Sequence, residues 1–361
     1  MRAELIGTPV TVMANPNSKH NYFGWPTAVR LRDGRIAIAA SGFRTRHIDP
    51  FGKAVISFSA DDGRTYTQPT PVIDTVLDDR DGGLTPFGES GLIISTFNNT
   101  LEFQRSQKNI NAYSLTYLDT VAPWEEARDL GSLYRVSFDN GVTFGKIYKC
   151  PVSSPHGPLE LRDGTILYVG SVFHGKDDDP NRQSCNISVY KIDTDGKCSF
   201  IGEIPSVDKY GNKPLFCEPH AIELADSRLL CHIRVQANGE NRMFTLYQSI
   251  SCDGGASWST PRQILDDLGG APSHLFCHSS GVLVATYGYR ELPFGIRAMF
   301  SRDGGASWDI GHVLYSTDVS ADLGYPSTVE LGDGSMITVF YARPDAHTPP
   351  VIMQQRWKLC L

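Results

Sequence analysis

Apolar positions along this chain fall in short runs, and the runs come in pairs. The segments WPTAVRLRDGRIAIAA (from Trp25), LTPFGESGLIISTF (from Leu84), SPHGPLELRDGTILYVG (from Ser154), EPHAIELADSRLLCHIR (from Glu218), APSHLFCHSSGVLVATYG (from Ala271) and YPSTVELGDGSMITVFY (from Tyr325) share one plan. Each holds an apolar run, a turn that is usually Asp-Gly, and a second apolar run, which predicts a β-hairpin. No segment shows a convincing helical period, and no linker rich in Pro, Gly or Ser divides the chain.

A second repeat runs out of phase with the first. The octapeptide S-x-D-x-G-x-[TS]-[WYF] occurs at SADDGRTY (from Ser59), SFDNGVTF (from Ser137), SCDGGASW (from Ser251) and SRDGGASW (from Ser301), with a worn relative in KIDTDGKCSF from Lys191. Its chemistry is that of a turn: the Asp accepts backbone N–H groups just beyond it, Gly takes a positive φ, hydroxyls tie the ends and the aromatic packs beneath. It reads as a structural staple, not as a catalytic motif. Six hairpins followed mostly by such turns make six units of about four strands, and radial repetition hides their sheet edges. The expected fold is therefore all-β, one six-bladed β-propeller with four-stranded antiparallel blades over residues 1–361. The tail VIMQQRWKL and the head LIGTPVTVMA would supply outer strands of the last blade.

Composition narrows the function. The net charge of −7 speaks against a nucleic-acid partner, which needs a basic stripe. No apolar run is long enough to cross a bilayer as a helix, and the amino terminus has no extended apolar stretch. Eight cysteines are too sparse for a disulfide scaffold and form no zinc-type cluster. These features lead us to expect a protein of the cytoplasm with reduced thiols, no membrane partner, no metal and no cofactor. The acidic run DDDP at Asp177–Pro180 lacks calcium-loop spacing and reads as a solvated loop.

Four Asp-containing turns on a six-unit plan resemble the Asp-box repeats of the sialidase (neuraminidase) superfamily, across essentially the whole chain. Such turns also occur in lectin-like propellers, so function rests on the site. Glu218, its hairpin and Arg234 resemble the family segment that supplies a glutamate base and a carboxylate-binding arginine. Tyr325 in DLGYPSTVELGDG is similar to the segment that carries the tyrosine nucleophile, and Asp49 in SGFRTRHIDPFGKAVISFSADDG matches the acid/base aspartate. The resemblance thus implies an exo-acting, retaining glycosidase with a carbohydrate substrate. A phenol suits that task because sialic acid carries a carboxylate on its anomeric carbon, which would repel a carboxylate nucleophile. With a free pKa near 10, it needs a base beside it.

The chain also departs from the family pattern. YFGWPT stands where a Tyr-Arg-Ile-Pro-like motif would bring one clamp arginine, and Trp25 occupies the vacated place. Arg290 and Arg297 compete for the third clamp position, with Arg290 better placed at a strand end. Arg44 and Arg46 are candidate compensators. His156, His220 and His274 recur at one place in three hairpins, as channel lining that touches sugar hydroxyls or as packing. Two further readings stay open: a propeller glycosidase for another sugar, such as a rhamnoside or arabinoside, and a carbohydrate-binding propeller without catalysis.

Overall fold

The computed structural model describes residues 1–108, 110–172, 187–207, 214–237, 242–265 and 269–361. The acidic run at 177–180 lies outside the described residues. Six antiparallel sheets, the blades, surround an axis. Blade 1 uses Tyr22–Arg30, Ile36–Arg44, Lys53–Ser59 and Thr70–Ile73, from the axis outward. Blade 2 begins at Arg80–Phe87, blade 4 at Leu215–Glu223, blade 5 at Gly270–Cys277 and blade 6 at Gly324–Glu330. In blade 3 the innermost strand is broken into Val152–Ser153 and Leu159–Glu160. Blade 6 is completed from the other end of the chain: Arg2–Met13 pairs antiparallel with Val351–Cys360, Arg2 opposite Cys360. The core fills the spaces between neighbouring blades, where apolar clusters draw on two sheets, as Ile36 and Val55 of blade 1 pack with Ile337 and Val339 of blade 6; a smaller cluster joins Leu77 to Leu101 and Leu118.

The octapeptides fold as the staple their sequence predicts, each after the third strand of its blade. Ser251 Oγ donates to Asp253 Oδ1 at 2.9 Å and accepts Gly255 N–H at 2.9 Å, while Asp253 accepts Ser257 N–H at 2.9 Å and its hydroxyl at 2.5 Å. The same bonds recur at Ser59, Ser137 and Ser301. These donors hold Asp61, Asp139, Asp253 and Asp303 down to about 2.

One expectation needs correcting. Between the second and third strands of blade 2 the chain forms three helices, Leu101–Arg105, Ala112–Leu118 and Pro123–Asp129. None exceeds two turns, too few for a helical period to show in sequence. They are held instead by end signals: Thr100 Oγ1 accepts Phe103 N–H at 3.1 Å, Asn111 Oδ1 accepts Ser114 N–H at 2.7 Å, and Pro123 opens the third.

Candidate active site

The site is built by a repeated irregularity of the innermost strands. In blades 1, 2, 4 and 6 the pairing of the first two strands slips after the mouth residue, between Gly24 and Thr27, Arg80 and Gly83, Cys217 and His220, and Gly324 and Ser327. Each bulge contains one non-glycine residue in the left-handed region: Trp25 (φ 55°), Asp81 (φ 61°), Glu218 (φ 50°) and Tyr325 (φ 50°). Such residues cost about 1–3 kcal/mol apiece and persist where the surroundings force them, typically at functional sites. Four topologically equivalent positions on four blades thus send side chains to one end of the axis. Glu218, Tyr325 and Asp81 line a cavity of about 350 Å³ there.

Within the cavity Tyr325 Oη donates to Glu218 Oε1 at 2.5 Å. Arg234 Nη1 donates to Glu218 Oε2 at 2.6 Å and reaches Tyr325 Oη at 3.1 Å, and Gln236 Oε1 accepts from Arg234 Nε at 3.1 Å. Arg234 stands opposite Cys217 across the hairpin, which brings it beside Glu218. Burial and the Glu218 carboxylate push the Tyr325 phenol well above its ordinary value; Arg234 and Arg290 pull the other way. The resting phenol is therefore neutral, with a carboxylate in place to take its proton.

Arg290 follows the second strand of blade 5 and lines the cavity; its Nε donates to Leu323 O at 3.1 Å. Arg297 faces elsewhere, its guanidinium 3.3 Å from the Tyr289 ring centre and outside the lining. Blade 2 brings to the cavity an arginine that sequence reasoning missed. Arg80 lines the cavity, with its guanidinium carbon 4.2 Å from the Trp25 ring centre and Nη1 donating to His47 O at 2.7 Å. Trp25 is 1% exposed and packs beneath Arg80, His47 and Tyr325 as a platform, outside the lining itself.

Three other residues singled out from sequence lie off the cavity. Arg44 is fully buried and paired with Asp78 at 2.5 Å, with Nη1 donating to Ser41 Oγ at 2.7 Å and Nη2 to His47 O at 2.8 Å. Arg46 is outside the lining, and its carbonyl accepts from Arg44 Nε at 3.3 Å. Asp49 is fully buried: Thr45 donates to Oδ2 through both its N–H and its hydroxyl, and Phe51 N–H reaches Oδ1 at 3.2 Å. Its carboxylate ties the loop that the resemblance assigned to catalysis. The residue of that loop in the cavity is His47, whose Nδ1 lies 3.2 Å from Asp322 Oδ1 and whose Nε2 lies 3.4 Å from Arg80 Nη2. Burial, aided by Arg80 and Arg44 against the pull of Asp322, lowers its pKa.

His156, His220 and His274 meet one another. His220 and His274 stack at 4.5 Å between ring centres, and His156 sits edge-on to both at 5.2 and 5.0 Å. None lines the cavity, and their packing does not converge on a metal position. His220 Nδ1 accepts Leu275 N–H at 2.9 Å and His274 Nδ1 accepts Thr328 N–H at 3.4 Å, so the trio joins blades 3 to 6. Burial lowers all three, His220 to about 3, and keeps them neutral.

Asp81 is 6% exposed, and no described group donates a hydrogen bond to its carboxylate. Burial chiefly, with Glu218 adding and Arg80 opposing, raises it to about 7. The remaining wall comes from blade 3 and from the helical insertion, through Asn98, Asn99, Thr100 and Phe103.

No family model and no curated protein matches the chain. Solved structures do. A protein of unknown function from Dyadobacter fermentans is similar at 19% identity and TM-score 0.75, with 99% of each chain covered. Trypanosoma rangeli sialidase, solved with the inhibitor DANA, is similar at 16% identity and TM-score 0.60, over 93% of this chain and 55% of that one. A Penicillium chrysogenum alpha-L-arabinanase, complexed with arabinobiose, aligns at 12% identity and TM-score 0.64 over 97% and 98%. These likenesses, with the six four-stranded blades, show the fold: a six-bladed β-propeller shared with solved sialidases and an arabinanase.

Proposed function

We propose that the protein is a retaining glycoside hydrolase that removes a terminal sugar bearing a carboxylate, of the sialic acid kind. The observation that carries this reading is the 2.5 Å bond from Tyr325 Oη to Glu218 Oε1, with Arg234 Nη1 touching both. A buried phenol becomes a nucleophile only if its proton leaves as it attacks, and Glu218 is placed to receive it. Arg234 offsets the negative charge that this transfer builds between the two residues. Arg80, Arg234 and Arg290 put three guanidinium groups into a cavity whose carboxylates are Glu218 and Asp81. That balance favours an anionic ligand, and the planar guanidinium fork suits a carboxylate. Sialidases are among the solved structures that share the fold.

A purely carbohydrate-binding propeller is disfavoured by the same geometry, because binding alone gives no reason to hold Glu218 and Tyr325 in costly left-handed conformations against each other. A related glycosidase for an arabinoside or rhamnoside keeps the same nucleophile pair. The test is fluorophore release from 4-methylumbelliferyl N-acetylneuraminide beside the matching rhamnoside and arabinofuranoside, with Tyr325→Phe as control. Turnover of the sialoside that Y325F lowers by several orders of magnitude upholds the reading. Turnover of another sugar alone overturns the substrate half, and inertness throughout overturns the enzyme.

A further inference from the structure

Retaining hydrolysis needs a second proton-transfer group to serve the departing oxygen. Asp49 cannot supply it, since its carboxylate is buried in its own loop and already holds Thr45 and Phe51. His47 reaches the cavity, but its Nε2 faces an Arg80 N–H that only donates, and its Nδ1 is taken up by Tyr22 Oη at 2.9 Å and Asp322 Oδ1 at 3.2 Å. An imidazole held in that tautomer beside a guanidinium has no proton to offer the cavity.

Resting on the glycosidase reading above, we propose that Asp81 is the acid/base residue, giving its proton to the leaving oxygen and later taking one from water. It lines the same cavity as Tyr325 and Glu218 and occupies the same bulge position on its blade. Its carboxyl lines the cavity, nearly buried, with no hydrogen-bond partner among the described residues. A nearly buried, unpartnered polar group in a cavity is costly unless a ligand completes it. The charged groups that act on it are Arg80 and Arg44, which favour its ionisation, and Glu218 and Asp78, which oppose it; the Tyr325 and Tyr168 phenols also sense it. The outcome is a carboxyl that keeps its proton to about 7, matched to acid catalysis near neutrality.

The steps balance. The Tyr325 oxygen forms a bond to the anomeric carbon as the glycosidic C–O bond breaks; the phenol proton passes to Glu218 and the Asp81 proton goes to the departing alcohol. In the second displacement Asp81 removes a proton from water, whose oxygen attacks the same carbon. The bond to Tyr325 breaks, and the phenol recovers its proton from Glu218.

Two measurements test this. Carbon-13 NMR of the Asp81 carboxyl in the intact protein is expected to titrate near neutrality and to move to lower pH in Glu218→Gln; titration in the ordinary carboxylate range overturns the proposal. Kinetics then use two glycosides of one sugar, with an alcohol and with a nitrophenol as leaving group. D81N is expected to lose about 10²- to 10⁴-fold in kcat/KM on the alcohol and far less on the nitrophenol, which departs without protonation. Added azide, a nucleophile that needs no base, should restore nitrophenyl turnover. Equal losses on both, or a leaving-group dependence found in H47Q or D49N instead, overturn the role of Asp81 alone. A wild-type protein inert to both overturns the glycosidase reading, and the role with it.

Discussion

Arg44 and Arg80 sit close together, both near Trp25 and Asp78, yet the structure gives them different work, and alanine at each should separate fold from ligand. Arg44 and Asp78 are both fully buried and lie 2.5 Å apart. Truncating Arg44 leaves that carboxylate with Arg80 at 3.5 Å and the Asp49 N–H at 3.2 Å. Removing one partner of a buried pair costs about 3–5 kcal/mol. At about 2 °C per kcal/mol for a chain of this size, Arg44→Ala should melt about 6–10 °C below wild type. Arg80→Ala leaves Asp78 with Arg44 and forfeits mainly the contact with Trp25 and the bond to His47 O, so its fold should lose about 1–2 kcal/mol. Its cost falls on the ligand instead: a hydrogen bond to a charged group is worth about 1.5–3 kcal/mol, or about 10- to 150-fold in Kd. Thermal unfolding and calorimetric titration with an unsaturated sialic acid analogue read the two effects, and Arg297→Ala, outside the cavity, is the control. The reasoning fails if R44A melts no lower than R80A, or if R80A binds as wild type does while R297A does not.

Two further predictions concern pH. The four staple aspartates are held at about 2 against an ordinary 3.8, so their contribution to stability is present above about pH 4 and is lost as pH falls toward 2. Urea midpoints measured from pH 5 to pH 2 should fall more gently for Asp253→Asn than for wild type, and parallel curves would contradict the assignment. Asp81 has the opposite sign: its folded pKa is raised, so the folded protein holds more protons than the unfolded between about pH 4 and 7, and its share of stability is lost as pH climbs through that window. D81N should therefore gain on wild type as pH rises to 8, a gain that fits a residue kept for chemistry rather than for the fold. A wild-type protein more stable than D81N at pH 8 would count against a strained carboxyl.

How much was legible depended on whether the repeat itself carried the signal. Glu218 and Tyr325 each stand before a proline at the mouth of a hairpin, and Trp25 does the same, so aligning the repeats exposed them. Asp81 holds the equivalent position but is followed by Gly82. A side chain there would collide with the backbone of Ala40 in blade 1, so proline is excluded and the marker disappears. Thr85-Pro86 further along drew the predicted start to Leu84, past Arg80 and Asp81. With it went Arg80, the cavity arginine of blade 2. Asp49 shows a local ambiguity: an Asp before Pro serves either a site or its own loop, and the bonds to Thr45 and Phe51 place this carboxylate in the loop.

The pairing of Arg2–Met13 with Val351–Cys360 also bears on when the cavity can form. Blade 6 holds Tyr325 on its innermost strand, yet its two outer strands, Arg2–Met13 and Val351–Cys360, lie on opposite sides of the other five blades in sequence. Its sheet therefore closes only when segments separated by five blades of sequence meet. Contacts so far apart in sequence are slow to form. Tyr325 on blade 6 reaches Glu218 on blade 4 across the axis, so the appearance of that contact during refolding would be a clock for closure of the ring.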